Sequence, residues 1–371
     1  MEPLLSYGAT LARGLRGDFG VVGLYGAVQR LFITFGLTAG PASFIVDAPF
    51  GRWSDHSFMS VDGNIGWMLM ELVSLLSFMV AMTLSPASSI SQIPKNLTLD
   101  LPARVVSALA SLPKARAVLS VLFLVHYLNR AVISTLRNPG RARMNIAVPL
   151  SAMFFNLANG GTMGLWMAGG EASKGGNATG TWGLANNSWA RIGFATGVSL
   201  WVLGFVGNIV CDEMLYELKK KKMKNGGLTL EQKKKMSPRE RYSIPRGFLY
   251  EYISHPSYFT EWIEWIGFTV SSLCLAPSPF PGLALASIDS PTFTASLSSL
   301  LGRSASPYAL LRGVPPALRP FSQWYLQPPT VFVMQEILVM FPRAVSGHRW
   351  YRSTFGDEWP KSRKIVIPGL F

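Results

Sequence analysis

A single glutamate, Glu71, sits in the run Trp67-Met-Leu-Met-Glu-Leu-Val-Ser-Leu-Leu, with no other ionisable residue beside it. A carboxylate in so apolar a setting is costly unless it faces a cavity or a partner, which makes it a candidate functional group. His126, Tyr127, Asn129 and Arg130 cluster in a second apolar run. Asn208 and Asp212 stand four apart, on one helical face. Glu261, Glu264 and Trp265 open a further apolar segment. Arg130 demands an anion, and Glu71, Asp212 or a phosphate would serve. Arginines with carboxylates suit the phosphates and ribose hydroxyls of a dinucleotide. The same residues could equally join helices by hydrogen bonds or line an ion path.

The elements that must position these residues are membrane helices. The chain of 371 residues is 49% hydrophobic and only 15% charged, and its apolar residues come in long blocks rather than alternating. Stretches near 19–42, 64–85, 116–136, 146–168, 190–216, 258–277 and 329–345 approach the ~20 apolar residues a spanning helix needs. The expected fold is therefore an all-α integral membrane protein of seven transmembrane helices around an intramembrane cavity, in one polytopic domain covering 1–371. The first residues lack the pattern of a removed signal peptide, so the first span is read as retained.

The net charge of +14 is concentrated, with Lys219–Lys222 and Lys233–Lys235 in a 217–257 loop. This speaks for topology, not nucleic acid. With that loop, 137–145 and the tail after Arg343 on the cytoplasmic side, the N-terminus is lumenal and the C-terminus cytoplasmic. The segments 86–115, 169–189 and 278–328 are then lumenal. The glycosylation motifs at Asn96, Asn177 and Asn186 all fall in that set. The Pro/Ser-rich 278–328 segment reads as a loop or as a surface-lying piece around Tyr308–Leu318.

Other chemistries find no support. No strand-linked G-x-G-x-x-G occurs, the four histidines show no metal spacing, and Cys211 and Cys274 read as packing residues. The glycines of Asn159-Gly-Gly-Thr-Met-Gly suggest close helix packing.

Two segments carry a family resemblance: Tyr242-Ser-Ile-Pro-Arg-Gly-Phe-Leu-Tyr-Glu-Tyr-Ile-Ser-His-Pro-Ser-Tyr-Phe-Thr-Glu-Trp-Ile-Glu-Trp-Ile-Gly-Phe, and His348-Arg-Trp-Tyr351 with Phe355 and Pro360-Lys-Ser-Arg-Lys-Ile-Val-Ile-Pro-Gly-Leu-Phe371. Both resemble the C-terminal region (242–371 here) of the steroid 5α-reductase family. Weaker likeness reaches back through Asn208–Asp212, Asn138-Pro-Gly-Arg141, His126-Tyr127 and Trp67–Glu71. The resemblance implies seven membrane helices, an endoplasmic-reticulum location, NADPH as cofactor and a lipid or steroid substrate taken from the bilayer.

It also implies roles. Tyr127 and Glu71 match the pair beside the steroid 3-ketone, where they would stabilise the enolate formed as hydride reaches C5. Arg130, Asn138, Arg141, Asn208, Asp212, Tyr242, Glu261, Trp265 and Tyr351 match nucleotide-contacting positions. Lys219 stands where the family has arginine, Ser257 where it has asparagine, Gly347 where histidine is common, and Val73 where proline is frequent. The implied activity is NADPH-dependent 5α-reduction of a 3-oxo-Δ4 steroid. A trans-2-enoyl-CoA or polyprenol reductase of the same superfamily is the alternative, and a transporter or scaffold is the reading outside enzymes.

Overall fold

The structure is a computed structural model that describes residues 20–45, 59–84, 97–169, 181–185, 187–224, 237–276 and 327–371, with positions 9, 12 and 13. The three glycosylation motifs, the second lysine run and nearly all of 278–328 involve residues outside the described ones. Among the described residues the chain is mostly helical. The long helices are α1 (Gly20–Ala42), α2 (Gly63–Met82), α3 (Leu97–Ser111), α4 (Lys114–Arg137), α5 (Ala147–Ala168), α6 (Ala190–Lys224), α7 (Pro256–Leu273) and α8 (Pro328–Phe355). Three of them, α2, α4 and α6 through Lys222, are long and apolar enough to cross a membrane.

Seven of the eight fall on the apolar stretches seen in the sequence; α3 does not. It lies inside 86–115, read above as a loop. At 15 residues, with Asp100 and Arg104 forming an i,i+4 pair at 4.0 Å, it is too short and too charged to register as a span. The first lysine run also differs from expectation. Lys219–Lys222 is not loop but the last turns of α6, because Leu, Glu and Lys are strong helix formers and the first breakers are Gly226 and Gly227. Lys220 pairs with Glu217 at 2.9 Å along that surface. In the same way α8 outruns the apolar stretch by ten residues and stops only at Gly356, whose φ of 53° suits glycine.

Local chemistry fixes the element ends near the site. Asp62 caps α2, its carboxylate accepting from the N–H groups of Asn64 (2.9 Å) and Ile65 (3.0 Å). A two-stranded ribbon pairs β1 (Ser60–Val61) with β2 (Met144–Asn145), and Arg143 Nε donates to Ser60 Oγ at 2.9 Å. The turn after α4 is thereby pinned against the start of α2. Within α4 the stretch Asn129–Ile133 is a π turn, with the N–H of Ser134 bonded to the carbonyl of Asn129.

Two helix pairs pack most closely, α2 with α5 and α6 with α7. Each depends on missing side chains. A β-carbon at Gly160 would stand 2.3 Å from the Ser74 carbonyl oxygen, and one at Gly204 would stand 2.3 Å from the Glu264 nitrogen. The core between the pairs is aromatic. Phe78 stacks on Phe123 at 4.2 Å, and Trp265 meets Phe332 edge-on at 4.6 Å. At one end Arg116, 2% exposed, lies 4.9 Å from the centre of the Trp166 ring and donates to the carbonyls of Trp166 (2.8 Å) and Ala276 (3.4 Å).

Candidate active site

Helices α2, α4, α5 and α7 bring the polar residues of the sequence together. Glu71 on α2 is 7% exposed and Tyr127 on α4 is 3% exposed. Each is held by an asparagine on α5. Asn156 Nδ2 donates to the Met70 carbonyl at 2.8 Å and to Glu71 Oε2 at 3.4 Å, and Asn159 Nδ2 lies 2.7 Å from the Tyr127 hydroxyl. The two asparagines are three residues apart, so one face of α5 presents both. Their role was not read from the sequence, where Asn159 appeared only as the start of a packing motif. A polar pair at helical spacing inside a span was the signal available.

Arg130 finds its anions within the protein. Its Nε is 3.6 Å from Glu71 and one Nη is 3.3 Å from Glu261, while the Trp67 ring centre lies 5.1 Å from the guanidinium. The Asp212 alternative is not in contact; Asp212 accepts from Tyr216 at 3.4 Å instead. Asn208 Nδ2 donates to the Ser257 carbonyl at 3.0 Å and to Glu261 at 3.4 Å, tying α6 to α7. His126 Nδ1 is 2.6 Å from Glu264, which is fully buried, and its ring packs 4.7 Å from Trp265. Glu336 on α8 adds another carboxyl whose charge reaches Glu261, Arg130 and Glu71. Sequence reading passed over it, although a lone carboxyl in an apolar stretch is the same signal that singled out Glu71.

Beyond the π turn, a second cluster forms where the α4 turn meets α6. Arg141 donates to Asn64 Oδ1 at 3.2 Å and lies 4.6 Å from the Trp67 ring centre. Lys219 donates to Asn138 Oδ1 at 3.3 Å and to the Gly140 carbonyl at 3.4 Å. Burial holds the Arg141 guanidinium below its ordinary value. Unlike Arg130, both cations have neutral partners, with no carboxylate in ion-pair range among the described residues. Two cations with neutral partners, with Asp212 close enough to feel both charges, form a donor set that the phosphates and hydroxyls of a dinucleotide would fit.

Tyr242 and Tyr351 belong to a separate aromatic cluster. Tyr351 stacks on Trp359 at 4.7 Å, and Tyr242 meets Trp350 at 5.0 Å. Lys222 Nζ, donating to the Tyr242 carbonyl at 2.5 Å, connects the cluster to the end of α6. Of the departures, Lys219 still reaches Asn138, and Ser257 offers its backbone carbonyl to Asn208. Gly347 has a steric explanation. Any β-carbon there would stand 2.4 Å from His255 Nε2, so the His255 ring fills the place of a side chain at 347.

A helical membrane protein with a phenol, an asparagine and clustered carboxyls buried around an arginine defines the class: one that holds a polar cluster inside its apolar core. The family model for 3-oxo-5-alpha-steroid 4-dehydrogenase matches residues 142–288 and 321–371. The chain belongs to this family of oxidoreductases. It is similar to an uncharacterized protein of Schizosaccharomyces pombe, at 29% identity over 93% of this chain and 99% of that one. It is also similar to the steroid 5-alpha-reductase DET2 of Arabidopsis thaliana (26%, covering 90% and 93%). A third relative is the 3-oxo-5-alpha-steroid 4-dehydrogenase 1 of Bos taurus (24%, covering 88% and 89%).

Proposed function

We propose that this protein is an NADPH-dependent reductase of the Δ4 double bond of a 3-oxo steroid, acting within the endoplasmic-reticulum membrane. In this reading α1, α2 and α4–α8 are seven spans of a single polytopic domain, with the N-terminus lumenal and the substrate arriving from the bilayer. The observation that carries it is the Tyr127 hydroxyl, buried in the core and held by Asn159 at 2.7 Å. Glu71 stands in the same cluster, fixed by Asn156 and Arg130.

The reduced nicotinamide, when bound, would supply the hydride to C5, and a proton from solvent would complete the reduction at C4. Arg141 and Lys219 would hold its phosphates, and Asn208, Asp212 and Glu261 its hydroxyl and amide groups. Tyr127 would donate to the ketone oxygen, a hydrogen bond that strengthens as negative charge grows there. Glu71 would orient and support that phenol. Phe123 and Trp265 pack their rings 4.7 Å and 6.2 Å from that of Tyr127, in a buried aromatic core that surrounds the phenol with apolar surface.

The test is NADPH oxidation by membranes containing the protein, with progesterone, a trans-2-enoyl-CoA and a polyprenol supplied in parallel. Steroid-dependent turnover to the 5α product is expected, with a loss of about 10²-fold or more in both Glu71→Gln and Tyr127→Phe. Turnover with enoyl-CoA or polyprenol alone would overturn the substrate. Absence of both turnover and NADPH binding would overturn the enzyme.

A further inference from the structure

A second concentration of positive charge lies away from the Glu71–Tyr127 cluster, where the chain returns after α8. Past Gly356 it runs back along the start of α7, the N–H of Lys364 donating to the Tyr252 carbonyl at 2.8 Å and that of Ser254 to the Lys364 carbonyl at 2.9 Å. This holds Arg363 inward, only 3% exposed. The guanidinium lies 4.6 Å from the Trp359 ring centre and gives one Nη to the Pro245 carbonyl at 3.2 Å. Its Nε and other Nη, both buried, have no hydrogen-bond partner among the described residues. A buried guanidinium with donors to spare is costly until an anion completes it.

The neighbouring carboxylates are otherwise engaged. Glu251, whose charge reaches Arg363, accepts from the N–H of Gly247 at 2.5 Å. Asp357 pairs with Lys361 at 3.7 Å, and Glu358 pairs with Arg239. Next to Arg363 is a cavity of about 320 Å³ with two unlike walls. Arg352, Lys361 and Lys364 make one side cationic, and Leu370 and Phe371, 63% and 52% exposed, make the other apolar. The apolar side continues along the bundle. The Phe371 ring is 6.2 Å from Phe341 on α8, which is 6.3 Å from Phe44 just past α1.

We propose that this cavity binds the headgroup of an anionic phospholipid, its phosphate on Arg363 and its acyl chains leaving past Phe371, Phe341 and Phe44. A cationic cup with an exposed apolar rim beside apolar helices matches a headgroup joined to hydrocarbon. A soluble phosphate compound would gain nothing from the exposed Leu370 and Phe371. The assignment rests on the reading of α1 and α8 as membrane spans.

Thermal unfolding of the full-length protein in detergent, titrated with phosphatidic acid, phosphatidylcholine or NADPH, tests this. Because Arg363 also braces Trp359, the lysines of the rim are changed instead, as Lys361→Gln with Lys364→Gln. Phosphatidic acid should raise the unfolding temperature saturably while phosphatidylcholine does not, and the double variant should weaken its apparent affinity on the order of tenfold. An equal shift from phosphatidylcholine, or an unchanged affinity in the double variant, would sink the site. Displacement of phosphatidic acid by NADPH would assign the cavity to the dinucleotide instead. The readout is stability, not turnover, so failure here leaves the proposed reductase activity untouched.

Discussion

At the scale of residues, the site is a set of polar groups each of which needs another. Asn159 is the least replaceable of those that the sequence did not point to, since the Tyr127 hydroxyl has its 2.7 Å contact there. Asn159→Leu should lower kcat by about 10-fold to 10²-fold while leaving NADPH affinity near its original value, because a positioned donor rather than the cofactor site is lost. Parallel measurement of steroid turnover and NADPH binding checks this, and an equal loss in both would contradict it. Gly347 makes the opposite point, that a missing side chain can be as specific as a present one. Gly347→His should destabilise the fold against the His255 ring, by about 1–3 kcal/mol, and His255→Ala should recover much of that loss. Unfolding temperatures of the two single variants and the double variant settle it; simple additivity would mean the rings do not compete.

At the scale of elements, the helices were legible and their ends were not. Seven apolar stretches became seven helices because a block of ~20 apolar residues has few other folds open to it. Lys219–Lys222 was misassigned to a loop because charge reports where a span leaves the apolar region, whereas the α6 backbone is helical through the whole run to Lys224. The short, charged α3 had no block to announce it. In the site, Arg130 and Glu71 were visible as charges out of place, a signal that Glu336 shares, while Asn156 and Asn159 were not, because each makes sense only opposite a partner from a distant helix. Close approach of helices carries its own prediction. Gly160→Val pushes a side chain into the Ser74 carbonyl, and it should cost about 1–3 kcal/mol and reduce activity by displacing Glu71 three residues away on α2. Unchanged unfolding temperature and turnover would show that α2 and α5 can slide apart freely.

At the scale of the whole molecule, two ties hold the bundle closed at opposite ends of α4. Near its start, Arg116 joins α4 to the last turn of α5 and to the residues just beyond α7. Arg116→Met should lower stability by about 2 kcal/mol, and Arg116→Lys should not restore it, since one ammonium cannot reach both carbonyls as the fork does. Thermal unfolding of both variants checks this, with full recovery by lysine as the contrary result. Near its end, α4 meets α6 through Arg137 and Glu213 at 2.8 Å and Ser134 and Tyr216 at 2.7 Å. Between the two ties lies the π turn at Asn129–Ile133. One extra residue in a helical turn adds about 100° of rotation to all that follows, so His126 and Tyr127 can look toward α5 and α7 while Ser134 and Arg137 look toward α6. In evolutionary terms this stretch, Arg130 excepted, is freer in spelling than in length. Descendants can exchange its other letters, but gaining or losing even one would swing the Asn138–Arg141 turn about a quarter-circle away from Lys219.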